Sequence, residues 1–181
     1  PLLPLSKTAS FERKVLDIRQ MPAQVLFPHW DDEFEFIYVL SGMMEFRVRQ
    51  KAFLVSSGEG FFLNTGEIHS ACAYQSYDCR FVIYRICLLF FFRQKIILYI
   101  KNISNLLVDH PSFGFLTFVP KVPWQKYILE MIRKMNDICD RPVDGYELKI
   151  NHFVNEIFYY IFHNVNLSKE LSLKESRDWN V

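Results

Sequence analysis

Five side chains in the first part of the chain are suited to binding or catalysis: His29, Asp31, Glu33, Glu35 and His69. Four of them recur at every second position in His29-Trp30-Asp31-Asp32-Glu33-Phe34-Glu35. The fifth closes a later stretch that runs from Gly58 through Asn64-Thr65-Gly66-Glu67-Ile68. On a β-strand, residues two apart share a face. An unbroken strand therefore predicts His29, Asp31, Glu33 and Glu35 on one side and Trp30, Phe34, Phe36 and Tyr38 on the other. Polar groups inside an apolar sheet cost free energy unless they bind something. This places the polar set towards the lumen of a small barrel, with His69 as the matching inward group and Glu67 and Ala71 beside it. The aromatic set then packs outside.

Two chemistries suit such a cluster. His29, Glu35 and His69 can form a two-His, one-carboxylate metal face, with Asp31 as a fourth ligand. Alternatively, the same groups hydrogen-bond the hydroxyls of a polyhydroxylated ligand, whose C–H faces rest on aromatic side chains. Simpler roles stand beside these. The two His can be satisfied by internal hydrogen bonds, and Asp31, Asp32 and Glu33 can form a solvated strand entrance. Glu35 lies deeper, between Phe34 and Phe36, where an unpaired carboxylate would be costly, so a partner for it is expected.

The elements that position these residues are short and mostly extended. Lys14–Arg19, Phe34–Leu40, Met44–Val48, Lys51–Ser56, Gly58–Leu63, Ile68–Tyr74, Cys79–Tyr84 and Phe115–Val119 read as strands, with Gly42 ending the second. Arg49-Gln50 is a poor hairpin turn, since neither residue favours positive φ. Ile96, Ile100, Ile103 and Leu107 lie at helical spacing, predicting a helix near 95–108. Pro123 suits a first helical turn. Trp124, Tyr127, Ile128, Met131, Ile132, Met135 and Ile138 follow as an apolar stripe. Asp144-Gly-Tyr-Glu147 has the form of a capping box. A second helix follows, carrying Ile150, Phe153, Val154, Ile157, Phe158, Ile161, Phe162 and Val165. The short link makes the two helices antiparallel neighbours. The fold class is thus mainly β with C-terminal helices.

Composition narrows the function classes. Half of the 181 residues are hydrophobic and the net charge is +1. The chain can therefore build one sizeable core, and no basic face for nucleic acid is evident. Cys72, Cys79, Cys87 and Cys139 lack zinc-ribbon or CxxC spacing and read as reduced thiols. Pro1–Leu5 lacks the basic start of a secretory signal, and a cytoplasmic location is expected. The very apolar stretch 83–100 is interrupted by Arg85, Arg93 and Lys95, and its core Ile86–Phe92 is far short of the roughly 20 residues a spanning helix needs. No membrane partner is expected. No nucleophile elbow, P-loop or dinucleotide fingerprint is present.

The two motifs together resemble the double motif of the cupin barrels, Gly-x5-His-x-His-x3-4-Glu-x6-Gly followed by Gly-x5-Pro-x-Gly-x2-His-x3-Asn. His29, Glu35 and Gly42 fall in register with the first half, and Gly58, Gly66 and His69 with the second. Asp31 stands in place of the second His, Asn64 in place of the Pro, and Ala73 in place of the last Asn. The intervening texture is similar to the N-terminal effector-binding domain of AraC-type bacterial transcription regulators, a likeness that extends through Phe113-Gly114-Phe115 and the helical segment 122–166.

The resemblance implies a cupin-like (double-stranded β-helix or jelly-roll) barrel over 1–119, a helical hairpin over 120–167 that forms a homodimer, and the start of a linker over 168–181. It implies a small-molecule effector, a carbohydrate or similar polar compound, held by His29, Asp31, Glu33, Glu35 and His69. DNA would be met only through a helix-turn-helix domain following the linker. No catalytic residue and no cofactor is expected, although a divalent metal at His29, Asp31, Glu35 and His69 is the alternative. That alternative corresponds to a stand-alone metal-dependent cupin enzyme, an oxygenase or isomerase, which Asp31 in place of His argues against.

Overall fold

A computed structural model describes residues 11–75, 77–87 and 114–165. The helix expected near 95–108, most of the apolar stretch 83–100 and the linker 168–181 lie outside the described residues. Eight strands are present among them: β1 (Phe11–Asp17), β2 (Val25–His29), β3 (Phe34–Val48), β4 (Lys51–Ser56), β5 (Gly60–Leu63), β6 (His69–Ala73), β7 (Cys79–Ile86) and β8 (Phe115–Phe118). Two helices follow, α1 (Pro123–Asp140) and α2 (Tyr146–Asn164). The expected mainly β, cupin-like barrel followed by an antiparallel helical hairpin is the observed fold.

All strand pairings are antiparallel. One sheet runs β1-β7-β3-β5-β8, while the second half of β3 pairs with β4 and with β6, which in turn pairs with β2. The long strand β3 therefore crosses from one wall of the barrel to the other. Gly42 does not end it as expected. The ladder to β7 shifts register between Val39 and Ser41, and Gly42 takes φ +80° there. A Cβ at Gly42 would run into the backbone carbonyl of Asp78, so this bend needs glycine. At the β3–β4 turn Arg49 takes φ +55° between the Val48↔Lys51 pair, so the tight hairpin forms despite its residues.

The alternation within β3 separates two cores. Ile37, Val39, Met44, Phe46 and Val48 join Val55, Phe61, Leu63, Ala71, Phe81 and Ile83 inside the barrel. Phe34, Phe36 and Tyr38 join Phe62, Val82, Tyr84 and Phe118 on the outer face, where they meet Ile128, Ile132 and Met135 of α1 and Val154, Ile157, Phe158 and Ile161 of α2. The aromatic set thus lies beneath the helical hairpin, except for Trp30, which is 57% exposed. The lumen is filled by apolar side chains, with Phe46 stacked on Phe61 at 4.4 Å between ring centroids.

Two details of the helices differ from expectation. Asp144 does not cap α2; Gly145 in the left-handed region precedes Tyr146, with no side-chain cap. Tyr127 lies at the exposed edge of the α1 stripe, and Leu129 takes a buried place instead. A polar clamp joins the barrel to α1: Arg13 Nη2 donates to Asn136 Oδ1 at 2.6 Å and to Asp140 Oδ1 at 2.5 Å.

Candidate functional site

The polar cluster forms where two transverse rows of residues face each other at one mouth of the barrel. In one wall, strand register aligns Glu12, Arg85, Glu35, Leu63 and Phe115 across β1, β7, β3, β5 and β8. In the other, it aligns His29, His69 and Val48 across β2, β6 and β3. The strand expected to run unbroken from His29 to Glu35 is in fact two strands: β2 ends at His29, and β3 begins at Phe34. The turn between them is pinned by the Gly66 N–H donating to the Asp31 carbonyl at 2.8 Å. His29 and Glu35 therefore reach the same space from opposite walls rather than along one face.

Glu35 and His69 are buried, with side chains only 1% exposed, and His69 Nε2 lies 3.0 Å from Glu35 Oε2. The two are close enough to pair but poorly aligned for a hydrogen bond, and neither atom has another partner among the described residues. The His29 and His69 rings lie 4.3 Å apart between centroids. Asp31 Oδ2 is 3.8 Å from His29 Nε2. His29, Glu35 and His69 each offer one ligand atom, all within 4.8 Å of one another. Glu33 is half-buried at the rim and Asp32 is exposed. Glu67 turns away from the cluster, accepting from Arg49 Nε at 2.8 Å and Nη2 at 2.5 Å.

The hydrogen bonds of the two imidazoles fix their chemistry. His29 Nδ1 lies 2.8 Å from the Phe27 carbonyl and His69 Nδ1 lies 2.9 Å from the Glu67 carbonyl. A carbonyl only accepts, so Nδ1 carries the proton in both rings, and Nε2 faces the carboxylates.

Two members of the site were not singled out from sequence. Arg85 Nε donates to Glu35 Oε1 at 2.9 Å, Nη2 lies 3.1 Å from Asp31 Oδ2, and Nη1 lies 3.5 Å from Glu12 Oε2. The available signal was alternation along β7. Phe81 and Ile83 face the lumen, so Arg85 is the next residue on that face.

Opposing effects set the protonation of the cluster. Burial pushes the Glu35 carboxyl up, but the His69 and Arg85 contacts outweigh it and hold it at about 2. Burial pushes His69 down; Glu35, the Glu67 carbonyl and Asp31 together raise it above the ordinary imidazole value. Asp31 is raised, first by burial and then by repulsion from Glu35. Glu33 is raised chiefly by burial. The site thus holds a fixed carboxylate between a guanidinium and an imidazole whose charged form it favours, with two more carboxyl groups at its rim.

Residues 16–82 match the family model described as the AraC-like ligand binding domain. That span carries β2 to β6 and the site residues His29, Asp31, Glu33, Glu35 and His69. The chain is 26% identical over 122 residues to a protein named "Uncharacterized HTH-type transcriptional regulator YdeC" from Bacillus subtilis (strain 168). The match covers 67% of this chain and 41% of that protein, so the chain spans about two-fifths of the relative's length. Among solved structures, ToxT from Vibrio cholerae superposes with a TM-score of 0.55 at 14% identity, covering 83% of this chain and 55% of that one. At that identity the likeness is one of fold.

Proposed function

Because residues 16–82 match the family model described as the AraC-like ligand binding domain, we propose that this chain is the effector-sensing and dimerising part of a bacterial transcription regulator. A small polar effector, with carbohydrate as the class the family resemblance implies, binds at the barrel mouth against Glu35, His69, Asp31, His29 and Glu33. The observation that carries this reading is the set of buried polar atoms, Glu35 Oε2, His69 Nε2 and Asp31 Oδ2, that lack a well-formed hydrogen bond among the described residues. An effector hydroxyl can donate to a carboxylate oxygen and accept from an imidazolium N–H. The apolar filling of the lumen supports a ligand seated at the mouth rather than one that fills the barrel. Effector binding acts on DNA through a domain further along the full-length regulator, in the cytoplasm, by favouring one packing of barrel and helices over another.

A thermal-shift panel of sugars and other polyols tests the reading. One class should raise the melting temperature, and Glu35→Gln should weaken its binding about ten- to a hundredfold, the value of one charge-assisted hydrogen bond. Equal affinity in the variant, or no response to any polar compound, refutes the assignment.

The helical hairpin is the proposed dimer contact. Leu148 is 76% and Tyr159 54% exposed on α2, on a protein whose barrel already covers the opposite face of the hairpin. A symmetric dimer uses one patch twice. Leu148→Asp combined with Tyr159→Asp should give a folded monomer by light scattering; a dimer that persists moves the contact elsewhere.

A second reading is favoured by one observation. His ligands commonly donate their other ring N–H to a carbonyl, as both His29 and His69 do here. His29, Glu35 and His69, with Asp31 near, therefore have the chemistry of a divalent-metal shell. A bound ion would supply a Lewis-acid anchor for an effector oxygen. Under the first reading, effector binding survives treatment with a strong chelator.

A further inference from the structure

The Glu35 carboxylate is shared between a guanidinium and an imidazole. Arg85 takes Oε1 at 2.9 Å, and His69 faces Oε2 at 3.0 Å. The same guanidinium lies 3.1 Å from Asp31 and 3.5 Å from Glu12. One side chain thus spans three carboxylates drawn from β1, the β2–β3 turn and β3. Strand register presets this arrangement, because Arg85 is the direct cross-strand neighbour of both Glu12 and Glu35. A guanidinium suits the position, since its planar fork offers several fixed donors at once.

We propose that Arg85 is a tethered cation that stands in for a metal ion at this site, neutralising the carboxylates a divalent ion would need and so reserving the cluster for a polar organic effector. The inference rests on the effector reading and names the residue that fixes its specificity. A metal held by His29, Glu35 and His69 would use Glu35 Oε2 while Arg85 holds Oε1 of the same carboxylate. Its positive charge would face the guanidinium across a single carboxylate group. Arg85 is largely covered, with its side chain 20% exposed, so this repulsion is weakly screened. Asp31, the natural fourth ligand, is engaged by Arg85 as well. Once Arg85 is removed, Glu35 and Asp31 lose their guanidinium partner and remain beside two imidazoles whose Nε2 atoms face them. That donor set suits zinc, cobalt, nickel or manganese.

The test is direct titration of untagged protein with Co²⁺, followed by visible absorption and calorimetry. Wild type should bind weakly, whereas Arg85→Gln should bind about a hundredfold more tightly, as expected when a close like charge is removed from a partly buried site. The gain should vanish in Arg85→Gln combined with His69→Ala. Arg85→Lys keeps the charge but loses the fork, and should bind about tenfold more tightly than wild type. Wild type that binds Co²⁺ as tightly as Arg85→Gln overturns the proposal, as does a folded Arg85→Gln protein with no gain. If Arg85→Gln does not fold, an Arg85→Lys protein with wild-type affinity overturns it instead. The sugar panel, run on wild type in chelator, separates this result from the parent reading. A metal gain without any effector response supports the role of Arg85 while refuting the effector assignment. An effector response without a metal gain does the reverse.

Discussion

Phe158→Ala is expected to destabilise the protein by about 3–5 kcal/mol, the usual cost of emptying a buried aromatic site. Phe158 is the residue of α2 that enters the outer aromatic layer of the barrel. Its ring centroid lies 5.6 Å from Phe34, 5.6 Å from Phe36 and 5.8 Å from Phe62, with edge-to-face geometry in each case. Those three rings belong to β3 and β5, so one side chain ties the hairpin to both strands. Edge-to-face pairs add to the area buried, and the surrounding strands are too well paired to collapse into the cavity. Urea unfolding followed by circular dichroism checks the value. Lys149→Ala, on the same helix and exposed, should cost less than about 1 kcal/mol in the same assay. Equal effects for the two would place the hairpin off the sheet.

The main lines of this architecture were legible because side-chain periodicity is a local property. Phe34, Phe36 and Tyr38 alternate with Glu35, Ile37 and Val39, and the two sets do separate into the outer and inner cores. The helix stripes were equally plain from the 3.6-residue period. What local pattern does not contain is the point at which a strand ends. Nothing in His29-Trp30-Asp31-Asp32-Glu33 distinguishes a continuing strand from a turn held by a backbone hydrogen bond to Gly66. Gly42 reads as a terminator, yet antiparallel pairing on both sides carries β3 through it as a bend. The Asp144 cap failed for a similar reason, because Gly145 starts the helix from a left-handed conformation.

The site was half visible for the same physical reason. The His and carboxylate spacing identified the residues that converge at the mouth, although they arrive on separate strands. Arg85 and Glu12 join them only through cross-strand register, a non-local quantity that sequence spacing does not carry. Arg85 sat in a run read for membrane character, where its charge marked an interruption. Its alternation with Phe81 and Ile83 was the cue that it faces inward.

The buried pair at the centre of the site gives the second large effect. His69→Ala should cost about 3 kcal/mol near pH 5.5, the lower end for breaking a buried ion pair, because Arg85 still partners Glu35. The loss should depend on pH in a defined sense. Glu35 is held at about 2 in the folded protein, below its ordinary 4.5, so its contribution is present above pH 4.5 and is lost as pH falls towards 2. His69 is raised above its ordinary 6.5, so its contribution is present below pH 6.5 and is lost as pH rises through the higher folded value. The difference between wild type and His69→Ala is therefore greatest between about pH 4.5 and 6.5 and shrinks on both sides. Asp31, raised by burial and by Glu35, works in the opposite direction on the acid side, since folding favours its protonated form. It is present in both proteins, and its repulsion from Glu35 is common to both. Its direct attraction to His69 adds to the loss within the same window. Urea unfolding of both proteins from pH 3 to 9, in chelator so that no metal contributes, measures the difference. A difference independent of pH would mean that His69 acts only by filling space beside Phe46, whose ring stacks on it at 5.8 Å. The pair of Glu35 and His69 would then be a packing contact rather than the charged centre of the proposed effector site.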